Sequence, residues 1–143
     1  MIRFIVFGEP VAQGRARATV IGGHARLYDP AKSRNYKGMV REEALKQKPV
    51  KPLEGPVSLT VRVYQRIPKG FSKAKRAAAL TGRLRPTTRP DLKNVLAGIE
   101  DSLKQVIWLD DSQVVDFGDS GKWYDDNPRV EVEIEEIEEA KAG

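Results

Sequence analysis

The sequence is organised around residues 89–111, which read RPDLKNVLAGIEDSLKQVIWLDD. Within this stretch the apolar residues recur at the spacing of one face of an amphipathic helix. They are Leu92, Val95, Leu96, Ile99, Leu103 and Val106. We therefore predict a helix from Leu92 to Val106. Asp91 directly precedes it, so its carboxylate is expected to accept hydrogen bonds from the first free backbone N–H groups of the helix.

Acidic residues stand at both ends of this stretch and could meet in the folded chain. A helix from Asn94 to Val106 is roughly 20 Å long, and an extended chain from Val106 to Asp111 also spans roughly 20 Å. A chain that doubles back after the helix therefore brings Asp110 and Asp111 beside Asp91. Gathered carboxylates repel one another, so such a cluster is typical of a divalent-metal site. Because side chains alternate along a strand, one of the two adjacent acids is expected to bind the metal, and the other to be an outer-sphere or solvated group.

These residues resemble the helix motif of the RusA-like endodeoxyribonucleases, enzymes that resolve Holliday junctions. The family motif runs Pro-Asp-x-Asp-Asn-Leu-x-x-Lys-x-x-x-Asp-x-Leu in its commonest form, and an Asp-Asp pair follows it. The positions that match are Pro90, Asp91, Asn94, Asp101, Leu103, Asp110 and Asp111, with Val95 in the place of the motif leucine. The stretch DDSQVV at residues 110–115 is especially similar to the family. The resemblance covers most of the chain and is strongest at residues 89–116.

Two positions depart from the family motif. The second motif aspartate is Lys93 here, and the motif lysine falls at or near Ala97. Residues four apart share a helix face, so a lysine displaced by one turn from Ala97 to Lys93 could reach the same pocket. The missing carboxylate has no obvious replacement, because Glu100 lies on that face but two turns away.

The resemblance implies a magnesium-dependent, structure-selective endodeoxyribonuclease that resolves Holliday junctions in DNA recombination and repair. It points to Asp91, Asp111 and Lys93 as catalytic residues, and to Asp91, Asp111 and Asp110 as metal ligands. A bound Mg²⁺ would activate a water molecule and stabilise charge on the scissile phosphate, while Lys93 would orient water or neutralise the transition state. The resemblance also implies a homodimer on four-way DNA, since two strands of a roughly two-fold junction must be cut.

Charge is distributed unevenly along the chain. Residues 1–90 carry a formal charge of +15 and residues 91–143 carry −10, which gives the net charge of +5. A block this basic is typical of a phosphate-binding surface, and the acids of the second part suit a metal site with a solvated edge. The alternative is ordinary solubilising charge on helices that happen to be basic.

DNA contacts are expected from two basic regions and from one arginine beside the motif. Residues 10–17, PVAQGRAR, resemble the family's amino-terminal Pro-x-Pro-Lys-Gly-Arg-Pro-Arg sequence. Arginines two apart on an extended segment point the same way, so Arg15 and Arg17 could bind successive phosphates. The second region is centred on a short helix that Ser72 caps and that ends near Leu80. The further predicted contacts are Lys69, Lys73, Lys75, Arg76 and Arg89.

The remaining elements follow from hydrophobic periodicity and from the positions of Gly and Pro. We predict an α+β fold, a single domain over residues 1–143 with a mixed, largely antiparallel sheet, two to three helices and an acidic tail that frays from about residue 138. Gly22-Gly23 predicts a hairpin turn, and Asp29-Pro30 predicts the start of a helix. The expected ranges are strands at 2–7, 57–64, 114–120 and 130–137, a helix from 30 to about 48, and a turn at 125–128.

Composition excludes several classes of protein. The chain has no cysteine, which rules out disulfides and thiolate-bound zinc or iron–sulfur sites. His24, the single histidine, is expected to be exposed and non-catalytic. No apolar run approaches the roughly 18 residues of a membrane helix, and no charged leader precedes an apolar segment. We therefore expect a cytoplasmic, nucleoid-associated protein of bacterial or phage origin that has no membrane partner.

Two other functions are compatible with the same residues. The first is a DNA-junction-binding protein on the same fold that has lost cleavage because the second motif aspartate is Lys93. The second is a basic RNA-binding module with a structural acid cluster, which is disfavoured because no aromatic-rich stacking surface is evident. Metal-dependent nicking, as opposed to metal-independent binding, separates the enzyme from the binding proteins.

Overall fold

The computed structural model describes residues 1–14, 17–28 and 30–140, and for residues 17–21 and 24–28 it describes the backbone alone. Over these ranges three helices and a mixed sheet form an α+β domain, which confirms the predicted fold class. The strands are β1 (Ile2–Phe7), β2 (Arg17–Ile21), β3 (His24–Tyr28), β4 (Val57–Arg66), β5 (Val114–Asp116), β6 (Gly121–Asp125) and β7 (Arg129–Glu136). The helices are α1 (Ala31–Leu45), α2 (Lys73–Leu80) and α3 (Leu92–Leu103), with a 3-10 turn at Asp111–Gln113.

The main sheet has the order β1-β7-β4, and both β5 and β6 lie along the other edge of β4. Strand β7 pairs antiparallel with β1 and β4, whereas β5 and β6 run parallel to β4. This pairing confirms the mixed, largely antiparallel sheet. Strands β2 and β3 form a separate hairpin, in which Gly22 and Gly23 adopt the positive φ angles, 59° and 80°, that its tight turn requires.

The core lies between one face of the main sheet and helices α1 and α3. Alternate residues of β4, from Val57 to Val63, are fully buried, as their period of two predicts. The apolar stripe of α3 belongs to the same cluster, with Val95, Ile99 and Leu103 at most 1% exposed. Burying an aliphatic side chain of this kind stabilises a fold by about 1.5–3 kcal/mol. This packing therefore decides which face of α3 is left for a functional site.

Helix α3 ends at Leu103 rather than at the predicted Val106. Gln105 then takes a positive φ of 66°, and its N–H donates a hydrogen bond to the carbonyl oxygen of Trp108. The turn places Ile107 and Trp108 in the core, both with 0% exposure. The predicted extended return from the helix is therefore wrong, because burial of these two side chains takes the chain through a tight turn.

Strand β6 is an element that the sequence patterns do not predict, and the strand expected at 114–120 covers only 114–116. Strand β6 pairs in parallel with the second half of β4, so that Lys122 lies opposite Val63. Pairing between strands so distant in sequence leaves no local signal.

Helix α1 ends at Leu45, and its expected cap, Asp29, lies outside the described residues. Within the described ranges no helix is long and apolar enough to cross a bilayer.

Candidate active-site groove

An open groove of about 1590 Å³ lies at the amino-terminal end of α3. Its walls come from chain segments around residues 9–14, 30–33 and 87–94, and from Gln65 of β4 and Lys122 of β6. Gly14, near the amino terminus, and the Pro-Asp motif thus line the same groove, although most of the basic half of the chain separates them.

Close backbone contacts hold residues 10–14 against helices α1 and α3. The N–H of Gln13 donates to the carbonyl of Asn94 at 3.0 Å, and the N–H of Gly14 donates to Oγ of Ser33 at 3.1 Å. A Cβ added to Gly14 would lie 2.8 Å from a ring carbon of Pro30, so a glycine is needed for this approach. This packing gives a structural reason for the glycine at position 14, which the amino-terminal sequence quoted above for the resemblance also has.

The predicted phosphate contacts in the amino-terminal sequence cannot be placed in the groove. Arg15 and the side chain of Arg17 lie outside the described residues. Their binding to successive phosphates stays a prediction. Gly14, which immediately precedes Arg15 in the chain, is one of the described residues of the groove wall.

Asp91 caps α3 as predicted, because its Oδ1 accepts the N–H of Lys93 at 2.9 Å. The loop before it is tied to two strands of the sheet. Nε2 of Gln65 donates to the carbonyl of Arg89 at 3.0 Å, and Nζ of Lys122 donates to the carbonyl of Thr88 at 2.6 Å. The carboxylate of Asp91 is exposed at the groove, so it is available to a ligand.

Lys122 is a candidate that the sequence analysis missed. It lines the groove together with Asp91 and is half-buried. Burial lowers the pKa of its ammonium group, and the negative charge of Asp91 opposes that shift to a smaller extent. The run Lys122-Trp123-Tyr124 contains β-forming aromatic residues and could have been recognised as a strand. Nothing local to that run, however, indicates that it reaches Asp91.

The acid pair lies beside the carboxyl-terminal half of α3. Asp110 starts the 3-10 turn: its Oδ2 accepts the N–H of Ser112 at 3.2 Å, and its Oδ1 lies 3.7 Å from Nζ of Lys104. Hydrogen bonds from Ser112 are the main cause that lowers the pKa of Asp110. Asp111 faces elsewhere, since its Oδ1 accepts Nε1–H of the buried Trp108 at 2.9 Å. The two neighbours thus point in different directions, as expected, although a turn rather than a strand separates them.

Glu100 is the acid that the structure brings near Asp111. Burial raises the pKa of Glu100, and the negative charge of Asp111 raises it further. Asp91, in contrast, lies at the opposite end of α3 from the Lys104–Asp110 ion pair. Among the residues that the structure describes, no three Asp, Glu or His side chains form a group that could hold a metal ion. The early end of α3 and the turn after it account for this separation.

The predicted basic surface around α2 is exposed but partly neutralised. Lys69 and Lys73 are exposed, and Nζ of Lys75 lies 4.4 Å from the centre of the Phe71 ring. Arg76 forms an ion pair with Asp126 (β6–β7 turn). Arg89 is exposed and lines the groove itself. Of the five predicted contacts outside the amino-terminal sequence, Arg89 is therefore the one that lies at the groove.

Comparison of the sequence with known families assigns the chain to one of them. The sequence model of the family described as Endodeoxyribonuclease RusA matches residues 8–135. The chain belongs to the RusA endodeoxyribonuclease family. It is also 47% identical over 138 residues to a protein of Bacillus subtilis (strain 168) named uncharacterized protein YqaN. That match covers 95% of this chain and 96% of the relative, so the two proteins correspond over nearly their whole lengths.

One RusA motif position, Asp101, has a clear structural role in this chain, and another, Lys93, departs from the motif. Asp101 accepts a hydrogen bond from Nζ of Lys37 at 2.7 Å, which links α3 to α1. The Lys37 side chain is only 10% exposed, so this basic residue of α1 belongs to the contact between the two helices and not to an open basic surface. Lys93, at the position of the second motif aspartate, is exposed on the first turn of α3. This chain of the RusA family therefore presents a cation at a position where the motif has an acid.

Proposed function

We propose that this protein is a magnesium-dependent, structure-selective endodeoxyribonuclease that resolves Holliday junctions in DNA recombination and repair. Membership of the RusA family supports the nuclease class. The observation that carries the proposal is the groove, because the Gly14 segment and the Pro90-Asp91 segment both line it. We further propose that the protein works as a homodimer on four-way DNA in a bacterial or phage-infected cytoplasm, near the nucleoid.

The acids of the site suit a hard divalent cation. Mg²⁺ is usually bound through one or two carboxylates, together with waters and substrate phosphates. The charge of Asp111 acts on Glu100 and helps to raise its pKa. A cation bound near these two carboxylates would lower that pKa again. From the resemblance we assign the ion to Asp91 and Asp111, with Asp110 adjacent. We propose Glu100 as a further acid on the Asp111 side of the ion, not as a substitute for the missing motif acid, because Glu100 lies two helical turns beyond Lys93. A bound Mg²⁺ would supply water activation and charge stabilisation at the phosphate.

The chain's own residues would orient the DNA strand for cleavage. Asp91 is fixed by its bond to the N–H of Lys93 and presents its free carboxylate oxygen to the groove. Asp111 is fixed by the buried indole of Trp108. Lys93, exposed on the same helix face as Glu100, is proposed to orient water or to neutralise charge on the scissile phosphate. Arg89 would bind a neighbouring phosphate at the groove.

A junction-binding protein without cleavage is the second candidate. The exposed Lys93 favours it, because the motif has an acid at that position and a cation there does not bind a metal. The experiment that separates the two functions incubates the unmodified protein with a labelled four-way junction in Mg²⁺ and, in parallel, in EDTA. The endonuclease should nick the junction in Mg²⁺ alone and leave a linear duplex of the same sequence intact. Binding with no nicking in Mg²⁺ would favour the second candidate.

A further inference from the structure

Lys122 enters the groove from the sheet and faces the amino-terminal end of α3. Residues paired on adjacent strands point to the same face of a sheet, so Lys122 points to the side of its partner Val63, where the helices pack. Its Nζ lies 2.6 Å from the carbonyl oxygen of Thr88. The charge of Asp91 acts on it across the groove. A cation from a distant strand therefore lines the same groove as the motif aspartate.

Lys122 anchors the loop before α3 with only one of the N–H donors of its ammonium group. An ammonium group has three N–H donors, and the carbonyl of Thr88 accepts one of them. The same loop has a neutral anchor as well, because Nε2 of Gln65 donates to the carbonyl of Arg89. Withdrawing a charged amine from water is unfavourable unless an anion compensates. The remaining donors of Lys122 are thus suited to an anion bound in the groove.

The charged residues that line the groove indicate that this anion is a phosphate. Of the described residues, Lys32, Arg89 and Lys122 line the groove as cations, and Glu9 and Asp91 as acids. Glu9 already pairs with an arginine of β4. The groove therefore retains an excess of positive charge around the single carboxylate of Asp91, which is the balance that a DNA backbone requires.

We propose that Lys122 is a phosphate-binding catalytic residue, whose ammonium contacts the DNA phosphate that lies beside Asp91. Lys122 thus adds a cation to the groove from the sheet, independently of Lys93 on α3. Lys122 forms and breaks no covalent bond; it neutralises charge on the phosphate while water attacks and the leaving oxygen departs. This inference rests on the proposed function, because it needs a DNA strand in the groove.

The first test measures binding, which needs no cleavage. The dissociation constant for a labelled four-way junction is measured by fluorescence anisotropy in EDTA at several salt concentrations. Lys122→Gln keeps N–H donors for the carbonyl of Thr88 but loses the charge, so it should weaken binding and reduce the salt slope by about one. Lys122→Arg should keep the slope. Lys48→Gln, a neutralised lysine beyond α1 and away from the groove, is the matched control and should change neither quantity.

The second test measures nicking in Mg²⁺. Lys122→Gln should slow cutting by on the order of 10- to 100-fold, as loss of one charge-stabilising group does, and Lys122→Arg should restore part of the rate. A lysine that only anchors the loop would not give this pattern, because Lys122→Gln and Lys122→Arg both keep an N–H donor for the carbonyl of Thr88. A higher rate for Lys122→Arg than for Lys122→Gln would therefore reflect the charge.

The outcomes separate this inference from the proposed function. An unmodified protein that binds the junction but does not cut it would overturn the nuclease, and the salt slope would still decide the role of Lys122. A Lys122→Gln protein with an unchanged melting temperature and an unchanged slope would overturn the phosphate contact. A protein that does not bind junctions at all would overturn both.

Discussion

The indole Nε1–H of Trp108 donates a hydrogen bond to Oδ1 of Asp111 at 2.9 Å. Because Trp108 is fully buried, this bond holds the carboxylate against the core beside α3. In that position the negative charge of Asp111 adds to burial in raising the pKa of Glu100. The fold thus places Asp111 where its charge acts on Glu100, and a cation bound near the two acids would relieve their mutual repulsion.

Replacing Glu100 with Gln should stabilise the metal-free protein at neutral pH. The pKa of Glu100 is raised in the folded protein, so folding is more favourable when this carboxyl group is protonated than when it is charged. The protein has the full benefit at low pH and loses it as pH rises through the folded-state pKa. The gain in melting temperature from Glu100→Gln should therefore be clear at about pH 7 and vanish at about pH 4, below the ordinary glutamate pKa. Thermal unfolding in EDTA at both pH values measures it.

The same variant tests the position of the cation. Mg²⁺ should raise the melting temperature of the unmodified protein by more than that of Glu100→Gln, since a ligand stabilises the state that binds it. Glu138→Gln, in the acidic stretch after β7, is the control and should respond like the unmodified protein. An equal response of all three proteins would remove Glu100 from the metal site.

Asp91→Asn should abolish cutting of four-way DNA in Mg²⁺ while leaving binding intact or tighter. The substitution removes a negative charge that repels the DNA phosphates, and an asparagine side chain can still cap α3. Nicking assays and anisotropy on one preparation give both quantities. Asp119→Asn, an exposed acid outside the groove, should cut normally. Undiminished cutting by Asp91→Asn would place the active site elsewhere.

The double substitution Lys93→Asp with Ala97→Lys restores the family pattern on one face of α3. If the missing acid limits cleavage, the unmodified protein should bind without cutting and the double variant should cut. If Lys93 already supplies the lysine function, the unmodified protein should cut. Junction nicking by the two proteins in Mg²⁺ decides between these results, and failure of both proteins to cut would leave only a binding role.

Junction binding should weaken steeply with salt, because many of the lysines and arginines of residues 1–90 would release counterions from the DNA. Arg15→Ala together with Arg17→Ala should lower the affinity and reduce the salt slope by about two, one for each lost phosphate contact. Anisotropy titrations over a range of salt concentrations measure both. An unchanged affinity would show that the amino-terminal arginines do not contact phosphate.

The free protein should sediment as a dimer, since paired incisions need two active sites related by approximate two-fold symmetry. Analytical ultracentrifugation at micromolar concentration, with and without junction DNA, tests this. A monomer under both conditions would contradict the paired-incision mechanism. Single nicks by such a monomer would still be compatible with the nuclease class.

Local sequence determined the main elements and part of the site. The apolar stripe of α3, the alternation of β4 and the Gly22-Gly23 hairpin are each set by neighbours within a few residues, so periodicity predicts them. The cap at Asp91 is local in the same way, because the bond reaches only to the N–H of Lys93.

Only the tertiary structure decided which charged groups meet. Burial of Ile107 and Trp108 ends α3 early and brings Asp111 to a place where its charge acts on Glu100, because filling the core is worth more than extending the chain. Lys122 reaches the groove through parallel pairing of β6 with β4, a contact between residues far apart in sequence. Such contacts depend on how elements pack and not on any short pattern, so the motif aspartate could be found from the sequence and its neighbouring lysine could not.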